Sequence, residues 1–176
     1  MPKGALVAIL ALISCDLTSY TTASGIKQFV NKLEPVWTVR TTRRALIKCE
    51  MDQVLLIRPL SSTFRRRVFL NGTRRDFQIY GVFDTEHLER MTVIERDTFI
   101  RVEKLEFLSR DQSCAVIKVE SLTDWHEVYY DLRVTDMFVR VRPLPACRNY
   151  FKQVIGNLPS LYVYNPQCHR LMGQES

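Results

Sequence analysis

Few residues of this chain have chemistry to offer: five cysteines, three histidines, and a carboxylate and a guanidinium two positions apart in Tyr129-Tyr-Asp-Leu-Arg-Val134. Side chains two apart on a strand share a face, so Arg133 can neutralise Asp131. That pair could be exposed on an outer wall or turned inward to a lumen. His87, His126 and His169 are scattered, without the close spacing of a zinc motif, and no Gly-rich phosphate loop or serine-nucleophile elbow is present. Carboxylate neighbours such as Glu103 and Glu106 arise in any chain this charged. No nucleophile can be nominated, so the expectation is a protein that is not an enzyme and uses no metal and no cofactor.

The cysteines speak to compartment. Lys3 followed by the apolar run Ala5 to Cys15 and the small residues Thr21-Thr-Ala-Ser24 reads as a secretory signal peptide over residues 1–23. The run is shorter than the ~20 residues of a membrane span, so no membrane partner is expected. Removing the leader takes Cys15 with it and leaves Cys49, Cys114, Cys147 and Cys168, an even set that suits two disulfides in an extracellular chain. Residues 24–176 suit one domain with one core, expected to be monomeric. The net charge of +6 survives processing. A basic surface can meet heparin-like polysaccharide or anionic lipid, and secretion argues against nucleic acid.

The elements that must position these residues are a short helix, many strands and a second helix. Ile26, Phe29, Val30 and Leu33 recur at helical spacing before Pro35. Segments rich in β-branched and aromatic residues follow at 37–41, 45–51, 53–58, 65–70, 76–83, 91–96, 99–108, 114–119, 129–134 and 137–141. So many short strands imply an all-β barrel or sandwich. In 99–108 apolar and charged residues mix on both faces: Phe99, Arg101, Glu103, Leu105 and Phe107 share one, Ile100, Val102 and Lys104 the other. Charges pointing into a lumen and an error of register both account for that mixing. Near the end, Pro145 suits a first helical position, Cys147, Tyr150, Phe151 and Val154 recur on one face, and Gly156 can close the helix. An inward Cys147 could be tied to Cys114, leaving Cys49 with Cys168, although four cysteines allow three pairings. Arg65-Arg-Arg67 and Arg74-Arg75 flank the turn signal Asn71-Gly72 and are expected to form a solvated basic hairpin tip. Asn71-Gly-Thr73 is also a glycosylation sequon.

Pro35-Val-Trp-Thr38, Lys48-Cys49, Cys114-Ala-Val-Ile-Lys-Val119, Tyr130-Asp-Leu-Arg-Val134, Pro145-Ala-Cys147 and Tyr164-Asn-Pro-Gln-Cys168, in that order, resemble the salivary lipocalins of ticks, the histamine-binding-protein family. The resemblance spans essentially the whole mature chain. It implies an eight-stranded antiparallel lipocalin barrel with a short N-terminal helix and a C-terminal helix packed on the wall. It also implies the pairings Cys49–Cys168 and Cys114–Cys147.

By the same resemblance, the barrel sequesters a small mediator released by a host: a biogenic amine such as histamine or serotonin, or an anionic lipid such as a leukotriene. A buried ammonium needs a carboxylate and aromatic faces, whereas an eicosanoid needs a longer apolar lumen and a basic group. Amine-binding relatives look like Tyr-Glu-Leu-Trp-Val where this chain has Tyr130-Asp-Leu-Arg-Val134, which puts Asp131 at the counter-ion position and Arg133 in place of a Trp. The expected ligand-binding set is Asp131, Arg133, Tyr129, Trp125, Tyr80, Phe107 and Trp37, with Trp37 also suited to the closed end of the barrel and Trp125 to its mouth. The expectation is capture of an amine, with an eicosanoid, or antagonism of a host protein through the outer surface, as alternatives.

Overall fold

The computed structural model describes residues 25–44, 46–123, 127–141 and 145–173. The expected leader and Trp125 lie outside the described residues. Eight antiparallel strands run in sequence order: β1 (Val36–Thr41), β2 (Ile47–Ile57), β3 (Ser61–Leu70), β4 (Thr73–Phe83), β5 (Arg90–Glu95), β6 (Thr98–Leu108), β7 (Cys114–Ser121) and β8 (Val128–Thr135). Each pairs with the next, and β1 pairs with both β8 and β2, through Val36↔Asp52 and Trp37↔Met51 in the latter case. The sheet is thereby closed into a barrel without edges. A ninth short strand, β9 (Leu161–Tyr162), adds to the outside of β1.

Among the described residues four helices accompany the barrel: α1 (Ile26–Val30), α2 (Asp136–Val139), α3 (Pro145–Ile155) and α4 (Cys168–Gly173). α1 plugs one end with buried Ile26, Phe29 and Val30, and the Ile26 amide donates to the Leu88 carbonyl at 3.0 Å. The helix stops there, so Leu33, expected on its apolar face, is 85% exposed. α3 buries Cys147, Phe151 and Ile155 against the wall, and Gly156, at φ +53°, ends it by donating its amide to the Lys152 carbonyl. Disulfides join Cys49 to Cys168 and Cys114 to Cys147, so α4 and α3 are each stapled to a strand.

The core is therefore double. An inner cluster fills the barrel beside α1, and an outer one, including Trp37, Val116, Leu132 and Phe151, lies between the wall and the helices. Two expectations are corrected. Segments 45–51 and 53–58 are one strand: Asp52 reads as a break in the apolar pattern but faces inward and pairs with Arg66 at 2.6 Å. Segment 137–141 is not a strand. Its β-branched and aromatic content is overridden by a turn in which the Asp136 amide donates to the Pro35 carbonyl, the Met137 amide to Glu34, and Trp37 Nε1 to Asp136 Oδ1.

Candidate functional site

The interior of the barrel holds charge. On β8, Tyr129, Asp131, Arg133 and Thr135 point inward, and all four are at least nine-tenths buried. Arg133 donates to Glu103 at 2.6 Å and to Asp131 at 2.9 Å. Glu103 also receives Arg101 at 2.9 Å and lies 3.6 Å from Arg66, which grips Asp52 with two bonds of 2.6 Å. Nearer the mouth, Glu50 accepts from Thr38 at 2.9 Å and from Arg43 at 3.0 Å. Four carboxylates (Glu50, Asp52, Glu103, Asp131) thus face four guanidiniums (Arg43, Arg66, Arg101, Arg133), and their formal charges cancel.

The carboxylates are not equally served. Burial pushes Glu103 up, but Arg133, Arg101 and Arg66 together outweigh it and hold the group well below the usual glutamate range. Burial likewise opposes the ionisation of Glu50, yet Arg66 and Arg43 bring it to about 2. Asp131 goes the other way. Its burial outweighs Arg133 and the Thr41 hydrogen bond, with Glu50 adding repulsion, so its carboxyl is raised above that of an ordinary aspartate. Asp131 thus has one arginine hydrogen bond, from Arg133, where Glu103 has two.

Two hollows flank the network. On the α1 side, Val30, Val36, Phe64, Ile79 and Met91 meet Asp52, Arg66, Glu103 and Arg133 around about 10 Å³ open to the centre of a water molecule, the room of about one water. At the opposite end, described residues from the start of the β1–β2 connection, the ends of β5 and β7, and the starts of β6 and β8 line a mouth of about 240 Å³ on the same measure. It is lined by Arg43, Arg101, Glu95, Glu127, Ser121 and Tyr129 among others. The Arg43 guanidinium lies 5.3 Å from the Tyr129 ring centre. Arg43 Nε, Arg101 Nη2 and Arg133 Nε are buried with no hydrogen-bond partner among the described residues.

The residues expected to bind ligand are divided by this geometry. Asp131, Arg133 and Tyr129 share the lumen. Phe107 does not reach it: the register of β6 on β7 shifts between Leu105 and Phe107, which turns Phe107 outward to stack on Tyr150 of α3 at 4.8 Å. Trp37 alternates outward from Val36 and Thr38, and packs on Tyr164 and His169. Tyr80 is 40% exposed on the outer face, opposite to Ile79 and Gly81, and accepts from Gln78. Phe83 is buried in the inner cluster at the α1 end. The arginine run expected at a solvated hairpin tip is split. Arg66 enters the lumen, Arg67 is buried against the Met172 carbonyl at 3.1 Å, and the Asn71-Gly72 turn itself is exposed with positive φ at both residues.

Glu50, Asp52, Arg66, Arg101 and Arg43 were not singled out as a site. The one sequence signal for them was the mixing of charged and apolar residues on the face that carries Arg101, Glu103 and Leu105. Among the described residues no group of three or more His, Cys, Asp or Glu side chains is placed to hold a metal ion, and no helix is long and apolar enough to cross a membrane.

No protein-family model and no curated protein matches the sequence. Solved structures do match. The protein AM182, crystallised as a serotonin complex, superposes with a TM-score of 0.65 at 18% identity, over 82% of this chain and 92% of that one. The siderocalin Ex-FABP gives 0.56 at 10% identity, over 77% and 89%. A bovine odorant binding protein variant gives 0.53 at 10% identity, over 74% and 93%. The chain has the lipocalin fold. Within that lipocalin barrel the space of a ligand cup is largely taken by ion pairs, and the open volume lies at the mouth.

Proposed function

We propose that this protein is a secreted binding protein that captures a biogenic amine, histamine or serotonin, with Asp131, buried behind Tyr129 on β8, as counter-ion. The observation that carries the reading is the place of Asp131, buried on the lumen face of β8 two residues from Tyr129 and bonded to one arginine where Glu103 has two. Its neighbours Glu50 and Glu103 are held ionised by surrounding arginines, whereas Asp131 is raised and would gain most from an added cation. A ligand ammonium passing Tyr129 would supply that charge, with the Tyr129 ring as an aromatic face. The resemblance to tick histamine-binding proteins and the likeness of fold to a serotonin complex support the same choice. The apolar leader and two disulfides support secretion. A glycan on exposed Asn71 would fit that route, and would appear as a gel shift on glycosidase treatment of protein made in eukaryotic cells.

A second reading has its own observation. Arg43 Nε and Arg101 Nη2 are buried at the mouth with no acceptor among the described residues, which favours an anionic lipid mediator whose carboxylate would sit there. Titration calorimetry of the unmodified protein and of Asp131→Asn, against histamine, serotonin and a leukotriene, separates the two. Amine capture should be weakened by about 2–5 kcal/mol in Asp131→Asn. Unchanged amine affinity in that variant, or binding of the leukotriene alone, would overturn the amine reading. Binding of none of them by the unmodified protein would favour antagonism of a host protein through the outer surface.

A further inference from the structure

Outside the barrel, a hollow of about 160 Å³ lies between α3, β9 and the outer faces of β1 and β8. Its floor is apolar, made by Val39, Leu132 and Phe151, which are at most 7% exposed. Three cations line it: Arg40, Arg148 and Lys152, and no Asp or Glu is among the described lining residues. Arg148 and Lys152 are one turn apart on α3, where like charges repel. Arg40 arrives by way of a bulge: the register of β1 on β8 shifts between Thr38 and Arg40, so Arg40 emerges on the outer face opposite Leu132.

The guanidinium of Arg40 is held in place. It sits 5.6 Å from the Phe151 ring centre and 4.7 Å from that of Tyr162, and Nη2 donates to Ser160 Oγ. Its Nε is nonetheless buried with no hydrogen-bond partner among the described residues. This donor, buried and unpaired among the described residues on a clamped cation near Lys152, can take an acceptor that carries negative charge.

We infer that this outer hollow binds a small organic anion bearing a phosphate or sulfate group, held by Arg40, Arg148 and Lys152, with its apolar body on Val39, Leu132 and Phe151. An arginine fork suits a multi-oxygen anion, and the floor distinguishes an ester from the bare ion. The site is separate from the lumen and does not depend on what the lumen carries.

The test uses phenyl phosphate and inorganic phosphate as probes, by calorimetry and by amide chemical shifts of the whole mature protein. Phenyl phosphate should bind once per chain, at least about tenfold more tightly than inorganic phosphate, shifting the amides around Arg40, Phe151 and Tyr162. Lys152→Glu, at an exposed position, should weaken it at least about tenfold with the melting temperature unchanged, and Arg148→Glu with Lys152→Glu should abolish it. Asp131→Asn should leave it intact. Absence of saturable binding, binding unaffected by Lys152→Glu, or equal affinity for the two probes would overturn the proposal.

Discussion

At the scale of single residues, the lumen shows how the same side-chain chemistry takes different roles from its surroundings. Glu103 is fully buried yet ionised because three guanidiniums converge on it, while Glu106, three residues on, pairs with Lys104 nearer the surface. Glu103→Gln should therefore cost about 3–5 kcal/mol of stability in chemical denaturation, since it strands buried arginines. Glu106→Gln should stay within about 0.5 kcal/mol. For Asp131 the matching expectation concerns binding. An amine needs the ionised carboxylate, and burial raises that group above 3.8, so capture should begin to fade, as pH falls, at a higher pH than an ordinary aspartate would dictate. Amine affinity measured down a pH series checks this, and affinity that holds unchanged until pH 3.8 would contradict it.

At the scale of elements, bulges decide what each strand presents. β6 carries register shifts on both its neighbours: one beside Ile94 separates Phe99 from Arg101, and one beside Phe107 separates it from Leu105. Between them Arg101, Glu103 and Leu105 keep one inward face, and the flanking phenylalanines leave it, Phe99 to solvent and Phe107 to α3. Phe107→Ala should thus cost roughly 3 kcal/mol through lost packing under α3, the lower end for a large aromatic because Phe107 is only half-buried. Ligand affinity should not change. Parallel denaturation and calorimetry on that variant check both halves, and a loss of affinity at full stability would place Phe107 in the site.

At the scale of the whole molecule, the buried ion network links stability to acid. Glu50 and Glu103 both have folded-state values below the 4.5 of an unfolded glutamate, so the stability they lend is complete above about 4.5 and is lost as pH falls towards 2 and below. Asp131 works in the opposite sense, since protonating a raised carboxyl relieves the folded state, but it is one group against two. The net charge of +6 adds repulsion as further protons bind. Thermal midpoints should drop steeply between pH 4.5 and pH 2 and flatten above. In Glu103→Gln the drop should be shallower, because one of the two linked groups is gone.

The sequence by itself determined the all-β class, the hairpin at Asn71-Gly72 and the helix from Pro145 closed by Gly156, because each rests on local rules of alternation, turn chemistry and helical spacing. It also placed Asp131 and Arg133 on one face, since two residues apart on a strand is a local fact. Only the tertiary structure decided that this face is the lumen and that Glu103, Asp52, Arg66 and Glu50 meet there from three other strands. It likewise decided that Phe107, Trp37 and Tyr80 turn away. Bulges reverse the alternation without a mark in composition, and buried arginines look like surface arginines until their carboxylates, distant in the chain, are brought beside them.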